Sequence, residues 1–433
     1  MTFIYCNRVV FGFSVICQQP DNMTLADPDY YLTDSRNVAW LFTSTAIGMC
    51  LGPLPLYFPQ FFGVRALIIV YSALCVISSL TYPLCDSLGF WPACINRFFA
   101  GFAQASQLHF TNDLVLRWTP ESEAAFFFAI MLSTSQFGPL ITMVVGGEAC
   151  STSWLGWEST YYMIAAGSFI SSAFFCYFYT ETVQENKYCS QEEKDLILKG
   201  KTVQKKKEPA PQKSIWTDFT IWISFIMFIG YYFGMIVYQQ YSPIFIKQVL
   251  HFTIRETGYF SAIPQIIAIV IKIGGGKLLD HGFGLSPRLT LIIPLLVLEG
   301  LSGLSIFMTG FLENRVIALA CLVSFASLHF FVPVICVRTM QIRAKQHSPY
   351  VLNANMIIAG VSQIVIPSIV QALAPENTRF QWSMVFFSIT ALIAITTLAY
   401  SFSAKIKPAS WTKELPKTMV FPNDKSIRKH SQT

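Results

Sequence analysis

The sequence predicts an all-α membrane protein built as two six-helix bundles. Of its 433 residues, 53% are hydrophobic and only 12% charged, with a mean hydropathy of +0.48. A soluble domain carries about 25% charged residues. A polar interruption at 181–215, with lysines from Lys187 to Lys213 and the prolines Pro209 and Pro211, divides this oily chain into two halves. Two hydrophobic stretches of similar length around a basic linker are the pattern of an internally repeated membrane protein.

Each span then follows from length and polarity. Runs of about 20 apolar residues, enough to cross a hydrocarbon core, fall at 38–58, 64–83, 90–112, 124–147, 158–180, 216–239, 257–279, 288–310, 316–337, 350–373 and 381–403. These are eleven complete spans. Residues 1–17 form a shorter apolar run interrupted by Arg8. A helix of that length reaches about 25 Å against a core of about 30 Å. No basic region precedes the run and no small-residue cleavage site follows it, which argues against a signal peptide. A first span that has lost its beginning is the expectation. The domains expected are a first bundle at 1–180 (spans 1–6), a linker at 181–215, a second bundle at 216–403 (spans 7–12) and a tail at 404–433.

Charge sets the orientation. Of 30 Lys and Arg, 22 fall in the linker, the tail and the loops on their side, and five in the opposite loops. By the positive-inside rule the linker and C-terminus are cytoplasmic. Ser190 followed three residues later by Glu193 forms a capping box, predicting a short cytoplasmic helix. Asn22-Met23-Thr24 is a glycosylation sequon in an acidic outer loop, making Asn22 the candidate acceptor. The pI of about 8.7 comes from the inner loops and tail, and no nucleic-acid-binding motif accompanies it. The 11 cysteines show no metal-ligand spacing, so neither a metal nor a cofactor is expected. Cys85 and Cys94 flank one short loop, yet reduced thiols are the expectation there.

A few polar residues interrupt the spans. Arg97 in span 4 begins an Arg-x-x-x-Gly pattern with Gly101, and Gln104 lies two turns along on the same face. Gly101 and Ala105 are four apart and permit close helix contact. A membrane-buried arginine is costly and faces a cavity or a partner, unless it snorkels to the nearby interface. In span 5, Gly138-Pro139 and Gly146-Gly147 mark tight packing or a bend. His109 and His329 are isolated, and such histidines are more often packed side chains than proton carriers; His109 is the fallback candidate for coupling. Lys272 in span 8 either snorkels to the inner face or lines a cavity, and Glu299 in span 9 is the main interior acid.

From Tyr241-Ser242-Pro243-Ile244-Phe245 through Glu256-Thr257-Gly258 and Ser261-Ala262 to Gly276-Lys277-Leu278-Leu279-Asp280, the chain resembles the anion–cation symporters of the major facilitator superfamily. That group includes sialin, the vesicular glutamate carriers and the sodium–phosphate cotransporters. In the first half Arg97 to Gly101, Trp118 to Pro120 to Glu123, Gln136-Phe137-Gly138 and Gly156-Trp157-Glu158 fall at the family's spacing. The resemblance covers about residues 90 to 280. Well-known members carry a glutamate where this chain has Gln104, and the vesicular glutamate carriers an arginine where it has Tyr231. The span-1 arginine of several members is unmatched, because Arg8 falls about two positions early.

The resemblance implies alternating-access transport of a small organic or inorganic anion, with a co-transported proton or sodium ion, by a monomer in the plasma membrane or a vesicle or lysosomal membrane. Arg97 would compensate the anion, Gln104 would bond it as a neutral partner, and Tyr231 and Lys272 would complete the site. Gly276 and Asp280 would close the inner gate. Because Gln104 cannot ionise, weaker dependence on a proton gradient is expected than in relatives with glutamate there. The alternative is a transporter-like receptor or scaffold that no longer transports. A membrane enzyme ranks third, since no compact His, Asp or Cys cluster sits in the spans.

Overall fold

The computed structural model describes residues 1–18, 30–57, 64–120, 123–152, 154–198, 211–281 and 284–412. Asn22 lies outside the described residues. Ten described helices are long and apolar enough to cross a membrane, beginning with 36–56 and ending with 379–403. Two further segments complete twelve spans: α1 (Thr2–Gln18) and a broken pair, α4 (Phe90–Gln104) and α5 (Gln107–Trp118).

The first half continues with α2 (Ser35–Leu51), α3 (Val64–Ser87), α6 (Ala124–Leu132), α7 (Thr134–Ser151) and α8 (Glu158–Phe178). The linker holds α9 (Gln191–Leu198) and α10 (Gln212–Trp216). The second half comprises α11 (Phe219–Ile244), α12 (Ile254–His281), α13 (Pro287–Phe311), α14 (Arg315–His329), α15 (Val332–Ala344), α16 (Ser348–Leu373) and α17 (Arg379–Ser403).

Helix starts follow local chemistry. Asp34, Asp218 and Asn314 accept from the first free backbone N–H groups of α2, α11 and α14, satisfying donors that would otherwise be stranded. Thr378 and Gln381 close a capping box at α17. The expected box at α9 is present: the Ser190 N–H donates to Glu193 Oε2 at 3.0 Å, and the Glu193 N–H to Ser190 Oγ at 3.2 Å. That Ser190 backbone bond holds the Glu193 carboxyl below its ordinary range.

Three spans that the sequence draws as continuous are broken. Span 4 breaks at Ala105–Ser106, where the Ser106 hydroxyl bonds back to the Ala103 carbonyl at 2.8 Å. Span 5 breaks at Ser133, six residues before Pro139, which sits inside α7. Span 10 breaks at Phe330–Phe331, ahead of Pro333 in the first turn of α15.

Close approach explains the glycine pattern. A Cβ on Gly101 would run into the Thr45 backbone of α2, and one on Gly48 into the Phe98 carbonyl of α4. Gly146 leaves room for the ring of Phe13, seating α1 against α7. Within the first half α1 packs on α4, α7 and α8, and α3 on α4 and α8. Within the second, α11 packs on α15, α16 and α17, and α13 on α14 and α17. The halves meet chiefly along α7–α12 and α2–α16, with α1 against α11 between them. Outward faces are apolar and exposed, Trp91 at 73% and Phe402 at 80% for example, as helices facing lipid require.

Candidate functional site: a cationic cavity between the halves

A cavity of about 70 Å³ lies where α1, α4, α5 and α7 face α11, α12, α15 and α16. Arg8 and Lys272 line it from opposite halves. Arg8 is 5% exposed and donates through Nη2 to Gln239 Oε1 at 2.7 Å. Lys272 is 1% exposed and donates to Gln136 Oε1 at 2.6 Å, with Ser135 Oγ at 3.4 Å. Both partners are neutral, and among the described residues no carboxylate forms an ion pair with either cation. Two buried charges without counter-charge are expensive. An anion in the space between them would relieve that cost.

Amides supply the remaining polarity. Gln104 lines the cavity, donating Nε2 to Gln107 Oε1 at 2.9 Å and leaving its own Oε1 unpaired among the described residues. Gln363 on α16 also lines it, with neither side-chain atom paired among the described residues. Asn355 donates to the Tyr232 hydroxyl at 2.8 Å, and its Oδ1 has no partner among the described residues. Tyr231 and Tyr232 form the aromatic wall on α11.

Of the residues singled out in the sequence, Gln104, Tyr231 and Lys272 meet in this cavity, and Arg97 does not line it. Arg97 is 1% exposed and donates to the Asn7 carbonyl at 3.0 Å and the Arg8 carbonyl at 2.8 Å. Its guanidinium also lies over the rings of Phe11 and Tyr82, at 5.2 and 5.8 Å. The reason is geometric. Midway along α4, Arg97 reaches α1 and is captured by its backbone, while Gln104, two turns further at the helix's C-terminal end, reaches the cavity. Lys272 lines the cavity rather than snorkelling.

His109 is buried in α5 and bonds across the halves, Nδ1 to Asn353 Oδ1 at 3.1 Å. Gly276 is buried on α12; the side chain of Asp280 lies outside the described residues. Sequence reasoning missed Arg8 as a lining residue, because it marked an imperfect span, and Gln363, because a lone glutamine in an apolar run carries no motif. His329 is not isolated: it contacts Glu299, with Nδ1 to Oε1 at 3.0 Å. Cys85 and Cys94 are free, as expected, and Cys17 and Cys150, which no sequence spacing singled out, form a disulfide.

A twelve-span helical protein with lipid-facing apolar walls and a polar chamber between two bundles is a multi-pass membrane transporter, not an enzyme. The chain belongs to the Major Facilitator Superfamily, which residues 22–341 match, and its relatives are anion–cation symporters. It is 22% identical over 400 residues to sodium-dependent phosphate transport protein 1 of Mus musculus, covering 88% of this chain and 83% of that one. Human sialin is 21% identical, over 88% of this chain and 78% of its own. A probable small intestine urate exporter of Mus musculus is 24% identical, over 86% and 77%. Among solved structures, a D-xylose-proton symporter matches with a TM-score of 0.66 at 15% identity, over 95% of this chain and 98% of that one. That likeness shows the shared fold.

Proposed function

We propose that this secondary transporter moves a small organic or inorganic anion by alternating access around the central cavity. The observation that carries the reading is the pair of buried cations, Arg8 and Lys272, facing one chamber with only neutral partners among the described residues. Arg8 offers a planar fork to two oxygens of a carboxylate or phosphate, and Lys272 a point charge from the opposite bundle. Gln104, Gln363 and Tyr231 would bond or wall the remaining substrate surface. The volume corresponds to about five to seven waters, which suits an ion of phosphate or small-carboxylate size. Arg97 acts one step back as a positioning residue, holding the α1 turn that presents Arg8.

An anion bridging Arg8 and Lys272 draws the bundles together, whereas an empty cavity leaves like charges facing each other across the interface. That difference supplies a differential interaction between open and occluded states. The domain division at 181–215 and 216–403 fits this rocking motion, with Gly276 and Asp280 at the proposed inner gate. The orientation with linker and tail in the cytoplasm is supported by the Cys17–Cys150 disulfide. It joins the ends of α1 and α7 remote from the linker, and disulfides persist on the oxidising side of a membrane. The co-transported ion would be a proton or sodium, and the working unit a monomer.

Uptake of radiolabelled inorganic phosphate into proteoliposomes holding the purified full chain tests this reading. Saturable uptake that competing organic anions reduce supports it. If a panel of phosphate, urate and monocarboxylates all fail to enter although the protein is folded, the reading gives way to the non-transporting receptor.

A further inference from the structure

His329 on α14 is buried on every side, 0% exposed, and both of its ring nitrogens face oxygen. Nδ1 lies 3.0 and 3.2 Å from the two oxygens of Glu299 on α13, itself 2% exposed. Nε2 lies 3.0 Å from the backbone carbonyl of Tyr231 on α11. A carbonyl only accepts, so Nε2 must carry a hydrogen. The Nδ1–carboxyl contact also needs a proton, held either by the ring or by the acid. A neutral imidazole beside an ionised Glu299 would set two lone pairs against each other at one contact, whichever tautomer it took. The pair is therefore satisfied only when it holds one proton more than neutral histidine plus carboxylate.

The surroundings are built for this arrangement. Gly234 lies one turn beyond Tyr231, and a Cβ there would sit 2.6 Å from Nε2. The imidazole is held between the rings of Tyr231 and Phe325, at 5.2 and 5.1 Å. The titratable neighbours are Tyr231 from α11, with Arg8 of α1 beyond it, and Cys336 from α15, which in turn faces Tyr400 of α17. On α12 the charged group Lys272 is engaged with Gln136. Tyr231 is the link outward, since its side chain lines the cavity and its carbonyl holds His329.

We propose that His329 and Glu299 form a proton-binding site in the second bundle, and that its loading is transmitted to the anion cavity through α11 at Tyr231. Releasing the proton breaks one of the two contacts of His329, freeing either the Tyr231 carbonyl or Glu299, so α11 shifts at the residue that walls the cavity. An anion bound near Arg8 favours the loaded state electrostatically. Coupling then needs neither an acid at position 104 nor His109. This inference rests on the transport reading above, and its test includes a readout independent of uptake.

The experiment has two arms on the purified full-length protein. Infrared difference spectra across a pH step are expected to show carboxyl and imidazole bands changing together, and both are to vanish in Glu299→Gln and in His329→Gln. In proteoliposomes with inorganic phosphate as probe, a pH gradient drives accumulation of up to about tenfold per pH unit for one coupled proton. Glu299→Gln is expected to reduce that ratio to about one while phosphate exchange at equal pH continues. Accumulation undiminished in Glu299→Gln overturns the proposal, as does a wild-type protein whose paired bands never change across the pH step. Absence of phosphate uptake with the coupled bands present would count against the substrate reading alone and leave the proton site standing. Should Glu299→Gln not reach the membrane, His329→Gln carries the same comparison, since its amide still donates to the Tyr231 carbonyl.

Discussion

Replacing Arg8 by methionine removes a buried charge while keeping much of the side chain's volume. The backbone anchor survives, because Arg97 grips the carbonyl of Arg8 and not its side chain. Folding is therefore expected to persist, and Gln239 loses one neutral-to-charged bond. The effect on anion binding is larger. An anion at about 4 Å from the guanidinium gains about 4 kcal/mol at an effective dielectric of about 20. Lys272 remains, and water replacing the lost head recovers part of this. The net loss is then about 2–4 kcal/mol, or about 30- to 900-fold at 1.36 kcal/mol per tenfold. The assay is the KM for phosphate uptake in proteoliposomes, normalised to reconstituted protein, with monodispersity on size exclusion as the folding control. Arg8→Lys should fall between the two, since a point charge cannot bind two oxygens at once. A KM within threefold of wild type for correctly folded Arg8→Met would refute the reasoning and remove Arg8 from the site.

Arg97→Lys should instead lower the amount of folded protein in the membrane or raise the KM of what remains, because a lysine cannot grip two carbonyls in a fork; normal abundance with an unchanged KM would contradict its positioning role. Gly101→Leu forces α2 and α4 apart at the Thr45 carbonyl and should cost about 1–3 kcal/mol or more, read as a lower melting temperature; an unchanged melting temperature would count against the helix contact. Reducing the Cys17–Cys150 disulfide removes a cross-link over a separation of 133 residues and should cost about 2–4 kcal/mol. The freed thiols should react with a membrane-impermeant maleimide applied to intact cells that carry the protein at their surface, and labelling of that surface population only after permeabilisation would reverse the orientation.

Much of the architecture was legible because membrane insertion makes a blunt demand. Twenty apolar residues read as a span whatever they pack against, and lysines report the cytoplasmic side. The breaks at Ala105–Ser106, Ser133 and Phe330–Phe331 were not legible, since the small polar residues at the first two (Gln104, Ser106, Ser133, Thr134) sit inside runs whose length still reads as one span, and the third is apolar at the break itself. Helix-face reasoning correctly paired Gly101 with a close helix neighbour and brought Gln104 to the cavity. Arg97 falls outside the cavity lining because a long side chain midway along α4 can turn toward any of several neighbours, and only the packed position of α1 decides. Arg8 was discounted for the same feature that makes it informative, a charge in the middle of an otherwise apolar run. His329 and Glu299 lie 30 residues apart on successive helices, and no sequence spacing announces that they touch.

The central claim is that the cavity selects anions through two opposed cations, and charge selectivity measured with and without them tests it most directly. Proteoliposomes holding the wild-type chain or the Arg8→Met/Lys272→Met double variant would be offered phosphate and D-xylose side by side. The account predicts saturable phosphate uptake by wild type, little or none of xylose, and loss of phosphate uptake in a double variant that remains folded. Xylose uptake exceeding that of phosphate, or phosphate uptake undiminished without both cations, would contradict it.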